Sequence, residues 1–589
     1  MSRTVRIVAI VIGVLIVLVL IVPFLIPVNQ FRPTIEQKAS AALGRKVEVG
    51  NLSLSLLSGG IGADNLSIAD DPKFSTSPFL TAKSVKVGVE LMPLIFSKTL
   101  NVTDVSIDSP QVSLIRDARG QWNYSSLGAS AAKSQAQTEP AAKPSAPTSS
   151  SSSSSSSGEF SVQKLELKNG RITVGSTASQ KRSIYDNVSV VASNVSLTSK
   201  FPVTVTADLP GGGNFKVDGT AGPIDETNTV LTPLSAKLTV NSLNLASTGF
   251  LDPSAGLGGI LDLNATLESQ KGIAETKGSA KLSKAVLIAG GSPASEPVTI
   301  DFHTKYDLTK NTGVLEASTL KIGSAVATVS GTYEVPAEGA ILHIKVHGDN
   351  MPAKDLEAFL PALGINMPKG ASLEGGTLNT DLSLSGPTDK LVTTGNVGLF
   401  KAKLAGFDLG SKMSAISSLT GVKTGKDLEI EKMTTNLRMA PDGIQASNFD
   451  AVVPAVGTLV GAGTINAKNA LDFKMAATLT DALGAMGSPV GTAGSALGKL
   501  GGGGGANSKC KSQTTVPFLI QGTTSDPKFV PDVGGLAAGV LKSQLGCAAG
   551  GLVPGANGIP GIPGAGGAGQ NPADAVQQLG GLFKKKKPQ

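Results

Sequence analysis

The chain has 589 residues, of which 16% are charged and 4% aromatic, with 71 glycines, 33 prolines and a formal net charge of +7. Its length suggests about four ordinary domains, or fewer if the architecture is extended. The wealth of Ser, Thr, Val, Leu and Gly fits an all-β chain with many turns and argues against a helical one. Four of the positive charges are Lys584–Lys587 at the tail, and the other basic residues are neither clustered nor interleaved with aromatics, which excludes a nucleic-acid partner.

The first element is Ile7–Ile26, IVAIVIGVLIVLVLIVPFLI, which carries no charge. At roughly 1.5 Å per residue such a helix crosses a hydrocarbon core of about 30 Å. A cleaved signal peptide is the alternative, but the apolar run is long for one and ends in PFLIP with no small-x-small site. An uncleaved anchor over 7–26 is therefore expected, with residues 1–6 cytoplasmic. Arg3 and Arg6 hold the N-terminus inside, against Arg32 and Lys38 on the far flank, so the body would lie outside the cytoplasm.

Pro33–Leu43 follows, with Ile35, Ala39, Ala42 and Leu43 on one helical face and Gly44 as the stop. The period then changes to two: Val47 and Val49; Leu52, Leu54 and Leu56; Val85, Val87, Val89 and Leu91; Val105 and Ile107; Val112 and Leu114. Turn residues separate these runs, which read as an antiparallel meander. Residues 129–158 are Ala, Lys, Pro and Gln ahead of nine serines, Ser149–Ser157, and form a linker with no large apolar residue. It either hinges a separate N-terminal region (27–128) or is an insertion between two paired strands.

Alternation resumes across a middle region, 159–370, at pairs such as Leu165 and Leu167, Leu238 and Val240, Leu261 and Leu263, and Ile344 and Val346. Lys354–Leu363 reads as a helix interrupted by Pro361. A further β region spans 371–533, with a short helix at Lys412–Leu419 and a Gly-rich run at Gly501–Gly505. The rest, 534–589, is a Gly/Pro-rich tail with a short helix at Ala573–Phe583 and a basic end.

No constellation for catalysis appears. His343 and His347 alternate with Ile344 and Val346, and His303 sits with Asp301 and Lys305, as solvent-face strand positions do. GSALGK at Gly494–Lys499 lacks the first glycine and the Ser/Thr of a phosphate-binding loop, with Ala493 and Leu500 in those places. Neither a catalytic residue, nor a cofactor site, nor a metal site is expected. Cys510 and Cys547 belong to no Cys/His cluster, which excludes structural zinc. In an oxidising compartment they could close a loop of about 37 residues, and otherwise they stay thiols.

Several segments, in order, carry a family resemblance: the helix exit LGRKV, DPKFSTSPFL, LMPL, and IDSPQVSLIRD running on to QWNY. This closely resembles the N-terminal region of the AsmA family of bacterial envelope proteins. SLEGGTLNTDLSLSGPTDKLVTTGNVGLFKAKLAGFDLGSKMSAISSLTG, within 371–533, resembles the C-terminal region of the same family, and VPFLIQGTTSDPKFVPD, Val516–Asp532, is similar to its closing strand. The resemblance implies a mainly β fold: a transmembrane helix, then an elongated, curved, groove-like antiparallel sheet with a few short helices. It also implies an inner-membrane, single-pass protein with its bulk in the periplasm, handling phospholipid acyl chains for outer-membrane homeostasis. About 30 strands at roughly 4.8 Å each would reach about 140 Å as an upper limit. Candidate groove residues are Val85, Val87, Val89, Leu165, Leu167, Leu238, Val240, Leu261 and Leu263. The same alternation fits a closed sandwich core, and the residues leave both open. An assembly factor that holds client strands at a sheet edge is the other functional class. Neither the lipid nor any outer-membrane protein partner is specified.

Overall fold

A computed structural model of the chain describes residues 28–55, 60–90, 102–127, 161–225, 228–251, 256–336, 339–412, 425–479, 515–532 and 534–535. The apolar stretch 7–26, the linker 129–158, the run Gly501–Gly505, Cys510, Cys547 and nearly all of 534–589 lie outside these. Among the described residues, no helix is long and apolar enough to cross a membrane. The chain divides into two compact units, and the second (Ala506–Ser512 with Gly534–Gln589) contributes only Gly534 and Gly535 to the description.

The first unit is one sheet of 25 strands. Helix α1 (Arg32–Leu43) leads in, with Pro33 in its first turn and Gly44 in the left-handed conformation at its end. Ala39 and Leu43 pack on Val47, Val49 and Leu52. Ile35 and Ala42, expected on that buried face, are exposed instead, because side chains of α1 turn toward the sheet edge to bond its backbone.

β1 (Val47–Glu48) and β2 (Leu52–Ser55) lie end to end along β3 (Gly60–Ala69), which pairs with β4 (Pro78–Val89). β5 (Val102–Asp108) and β6 (Gln111–Arg116) likewise share one line beside β4. Both then pair in parallel with β7 (Ser161–Ser176). A parallel neighbour needs a crossover, so the linker is an insertion between paired strands and the N-terminal region continues into the same sheet.

From β7 onward each strand pairs antiparallel with the next: β8 (Ser179–Ser196), β9 (Phe201–Asp208), β10 (Asn214–Ala221), β11 (Leu234–Asn244), β12 (Gly258–Gln270), β13 (Ile273–Val286), β14 (Val298–Asp307) and β15 (Thr312–Ile322). The run continues through β16 (Ala325–Glu334), β17 (Ile341–Pro352), β18 (Ser372–Pro387), β19 (Val392–Ala405), β20 (Leu428–Ala440), β21 (Gly443–Val453), β22 (Gly457–Asn466), β23 (Leu471–Leu479), β24 (Thr515–Thr523) and β25 (Asp526–Pro531). The described strands number 25, not about 30. With two lines shared, they make roughly 105 Å of sheet at ~4.8 Å per step, before twist. The helix expected over 354–363 is α2 (Ala353–Glu357) followed by the tighter turn Leu360–Leu363, broken where Pro361 enters. Of the residues expected as a helix at 412–419 only Lys412 is described, at the end of α3 (Leu409–Lys412).

Strict alternation does not survive to the strand ends. Ser242, Lys284, Asn350, Lys401 and Asn448 have positive φ. Each lies between two residues three apart that share a face: Val240 and Leu243, Leu282 and Ala285, Gly348 and Met351, Leu399 and Ala402, Ala446 and Phe449. Such a bulge adds one residue and resets the parity. Val240/Leu243, Gly348/Met351 and Ala446/Phe449 coincide with register shifts. The extra backbone N–H is taken up across the strand, as Ser242 donates to Asp262 Oδ1 (2.8 Å) and Asn350 to Asn379 Oδ1 (2.7 Å).

Candidate functional site

Residues directly opposite in a ladder share a face. A row of direct partners therefore runs Leu52, Ala63, Val85, Ile107, Leu167, Val190, Val205, Val217, Leu238 and Ala265. Two residues along β11 the row goes on through Val240, Leu263, Ala280, Ile300, Leu320 and Ala327. From Val329 it continues through Val346, Leu382, Gly395, Leu437, Ala446, Gly463, Phe473, Ile520 and Phe529. One face of the sheet is apolar from β2 to β25, without a charged residue in that row.

The groove candidates fall on this face. Val87 partners Val105, which partners Leu165, and Leu261 lies between Leu243 and Leu282. Val89 sits past an irregularity, opposite Val102. Burial separates the nine. Val89 and Val240 are each 6% exposed and are ordinary core, whereas Val85, Val87, Leu167, Leu238, Leu261 and Leu263 are half-buried and Leu165 is 36% exposed. Since every described strand belongs to one sheet, none forms a second sheet over this face. A closed two-sheet sandwich is therefore not the arrangement of the described residues.

The opposite face is polar and threaded by cross-strand pairs. Lys305 meets Glu316 (3.2 Å), Lys432 meets Asp450 (3.1 Å) and Lys403 meets Glu374 (3.0 Å). Each such exposed pair contributes little to stability, but like charges in those places would oppose the register. The histidines lie on this face as expected: His303 beside Glu275 (2.7 Å), His343 beside Ser385 (2.9 Å) and His347 beside Asp381 (2.5 Å). The hydrogen bond to Asp381, with the charge of Asp349, raises the His347 pKa above its ordinary value. No group of metal-ligating side chains occurs among the described residues.

Four of the segments that carry the N-terminal resemblance, LGRKV, DPKFSTSPFL, IDSPQVSLIRD and QWNY, meet at one buried cluster, while LMPL lies outside the described residues. Arg45, from LGRKV, pairs with Asp70 (3.0 Å), which directly precedes DPKFS. Its other nitrogen donates to the Asn123 carbonyl (2.6 Å) and Ser126 Oγ (2.8 Å). Asn123, from QWNY, donates to Asp70 Oδ2 and the Ser113 carbonyl (2.8 Å each), and its Oδ1 accepts from Ile115 N–H (3.1 Å). Arg45 also lies over the Phe79 ring. Asp71, next along, has its carboxyl held below the usual range by the Lys73 backbone N–H, with Ser126 and Arg45 adding to it. The sequence marked these segments, but not that they lock to each other.

Both edges of the sheet are blunted. On the β1–β2 side, side chains of α1 and the turn before it accept the outward N–H groups: Ser40 Oγ from Val47 (2.9 Å), Glu36 Oε1 from Val49 (2.8 Å) and Asn29 Oδ1 from Leu52 (2.8 Å). On the other side β25 carries Pro527 and Pro531. Proline cannot donate to β24, so these occupy two of the three positions, with Phe529, whose N–H would face outward.

The AsmA family model matches residues 1–252. Residues 1–252 are AsmA-family sequence. No curated protein and no solved structure matches the chain. The AsmA match takes in α1, the Arg45 cluster and the sheet through β11. It does not include 371–533, where the likeness rests on the segment that begins at Ser372 and on the one around β24 and β25.

Proposed function

We propose that the chain is an inner-membrane-anchored periplasmic protein, held by residues 7–26, that passes phospholipid to serve outer-membrane homeostasis, with acyl chains against the apolar face. One observation carries this reading: the same-face apolar row is unbroken from β2 to β25 and half-exposed over much of its length. Each methylene moved from water onto such a surface gains up to about 0.8 kcal/mol. A continuous row lets a chain move along without crossing a large desolvation barrier. The AsmA membership of residues 1–252 supports an envelope role. No catalytic group or cofactor is needed, and the ligand is lipid.

An assembly factor that templates client strands would need an open edge. The Ser40, Glu36 and Asn29 caps and the prolines of β25 favour the conduit over that reading. The test is lipid content. The full chain, purified and analysed by mass spectrometry, should carry phospholipid, and a folded Val87→Asp, Leu263→Asp variant should lose most of it. Equal phospholipid in both, or none in the native protein, contradicts the reading.

A further inference from the structure

Chain direction gives the two ends of the strands different characters. Of the helical segments beyond β6, Asn123–Ser126, Leu245–Ser247, α2, Leu360–Leu363 and α3 lie at one end, together with the long connections 287–297 and 353–371. The other end has short connections from β12 onward, and from β8 the one helical piece among the described residues there is the single turn Thr229–Leu231. These are the helical rim and the hairpin rim.

On β16 and β17 burial on the apolar face follows the same polarity. Along β16, Ala325, Ala327 and Val329 are buried toward the helical rim, and Gly331 and Tyr333 are half-buried toward the hairpin rim. On β17, Met351 is buried at the helical end and packs with Ala325 and Ala327, while Leu342 and Ile344 are half-buried at the other.

The chemistry of the face changes too. Toward the hairpin rim it gains hydroxyls: Thr276, Thr304, Tyr306 and Tyr333. Gly313 leaves room for Tyr333 to lie across β15, since a Cβ there would meet the ring at 2.2 Å. The two tyrosine rings stack at 5.9 Å, and Tyr333 Oη reaches Thr304 Oγ1 at 2.7 Å. Beyond them the turns carry lysine at Lys200, Lys271, Lys310, Lys390 and Lys468, balanced by carboxylates such as Asp225, Asp389 and Asp442, so this rim is polar without a net positive charge. Of these, Lys310 is paired with Asp307.

Resting on the lipid reading above, we infer that a glycerophospholipid lies across the sheet in one orientation. Its acyl chains point under the helical rim, its ester region meets the Tyr306–Tyr333 pair, and its phosphate faces water at the hairpin rim. Burying the chain ends where the face is already covered, and leaving the phosphate in water at the open, polar rim, satisfies both ends of the molecule. The reverse orientation would place a phosphate among Ala325, Ala327 and Met351.

The test uses the full chain in liposomes with two photoreactive phospholipids, one carrying a diazirine at the headgroup and one at the tail end, and maps adducts by mass spectrometry. Headgroup adducts should concentrate on peptides holding Tyr306 and Tyr333, and tail adducts on those holding Ala327, Met351 and Leu356. Reversed or evenly mixed adducts would overturn the orientation while leaving lipid binding intact, and an absence of adducts on the apolar face would overturn both.

Discussion

The region β1–β6 and the region β9–β23 are built from the same alternating strands but are held differently. The first carries a nearly water-free charged cluster, Arg45–Asp70–Asn123, and an edge capped by α1. The second has its charges on the polar face, exposed, and its apolar face half-exposed. A buried ion pair demands particular residues, because an unpaired member costs several kcal/mol. A half-exposed apolar face demands only that the right positions be hydrophobic. The family match covers 1–252, which holds all of the region with the more exacting chemistry and runs on through β11 of the second.

That contrast breaks most sharply at Arg45. Arg45→Ala leaves Asp70 buried without its partner and should cost about 3–5 kcal/mol. Urea unfolding followed at Trp122, the chain's one tryptophan, would read it in the same cluster. A loss near zero would mean that the cluster is not what holds β1–β6.

A smaller effect is expected where the second region depends on its bulges. Asn350→Val forces a β-branched residue into the left-handed region and should destabilise by about 1–2 kcal/mol. Asn350→Gly should be tolerated. Thermal unfolding compares the two, and equal behaviour would show that the bulge does not constrain β17.

The smallest stability change, with a distinct readout, belongs to the edge. The Val49 N–H, followed by Arg32, holds the Glu36 carboxyl below its ordinary pKa. A depressed carboxylate contributes above its unfolded value, about 4.3, and the contribution is lost as pH falls through the folded value. Self-association measured by light scattering should rise below that point in the native chain, and at neutral pH in Glu36→Ala. A monodisperse Glu36→Ala chain would show that the cap does not guard the edge.

Much of this was legible beforehand. Period two placed Val85, Val87, Leu165, Leu238 and Leu263 on one face, and it put His303, His343 and His347 on the other. Local patterning could not show that the face lacks a second sheet, since sandwich and open sheet share it. It also missed the bulges, whose signal is an apolar-x-x-apolar step with Asn, Ser or Lys before the second apolar residue. The partnership of Arg45 with Asn123 spans 78 residues and leaves no local trace. The exposure of Ile35 follows from edge capping, a tertiary demand that helical periodicity alone does not carry.

The central claim is that the apolar face carries lipid. Its most direct measurement is transfer of fluorescent phospholipid between liposomes by the full chain, comparing Val217→Asp, in the middle of the row, with Thr206→Asp on the opposite face of neighbouring β9. Transfer abolished by the first and preserved by the second is the predicted result. Transfer unchanged in Val217→Asp, in a chain that remains folded, would contradict it.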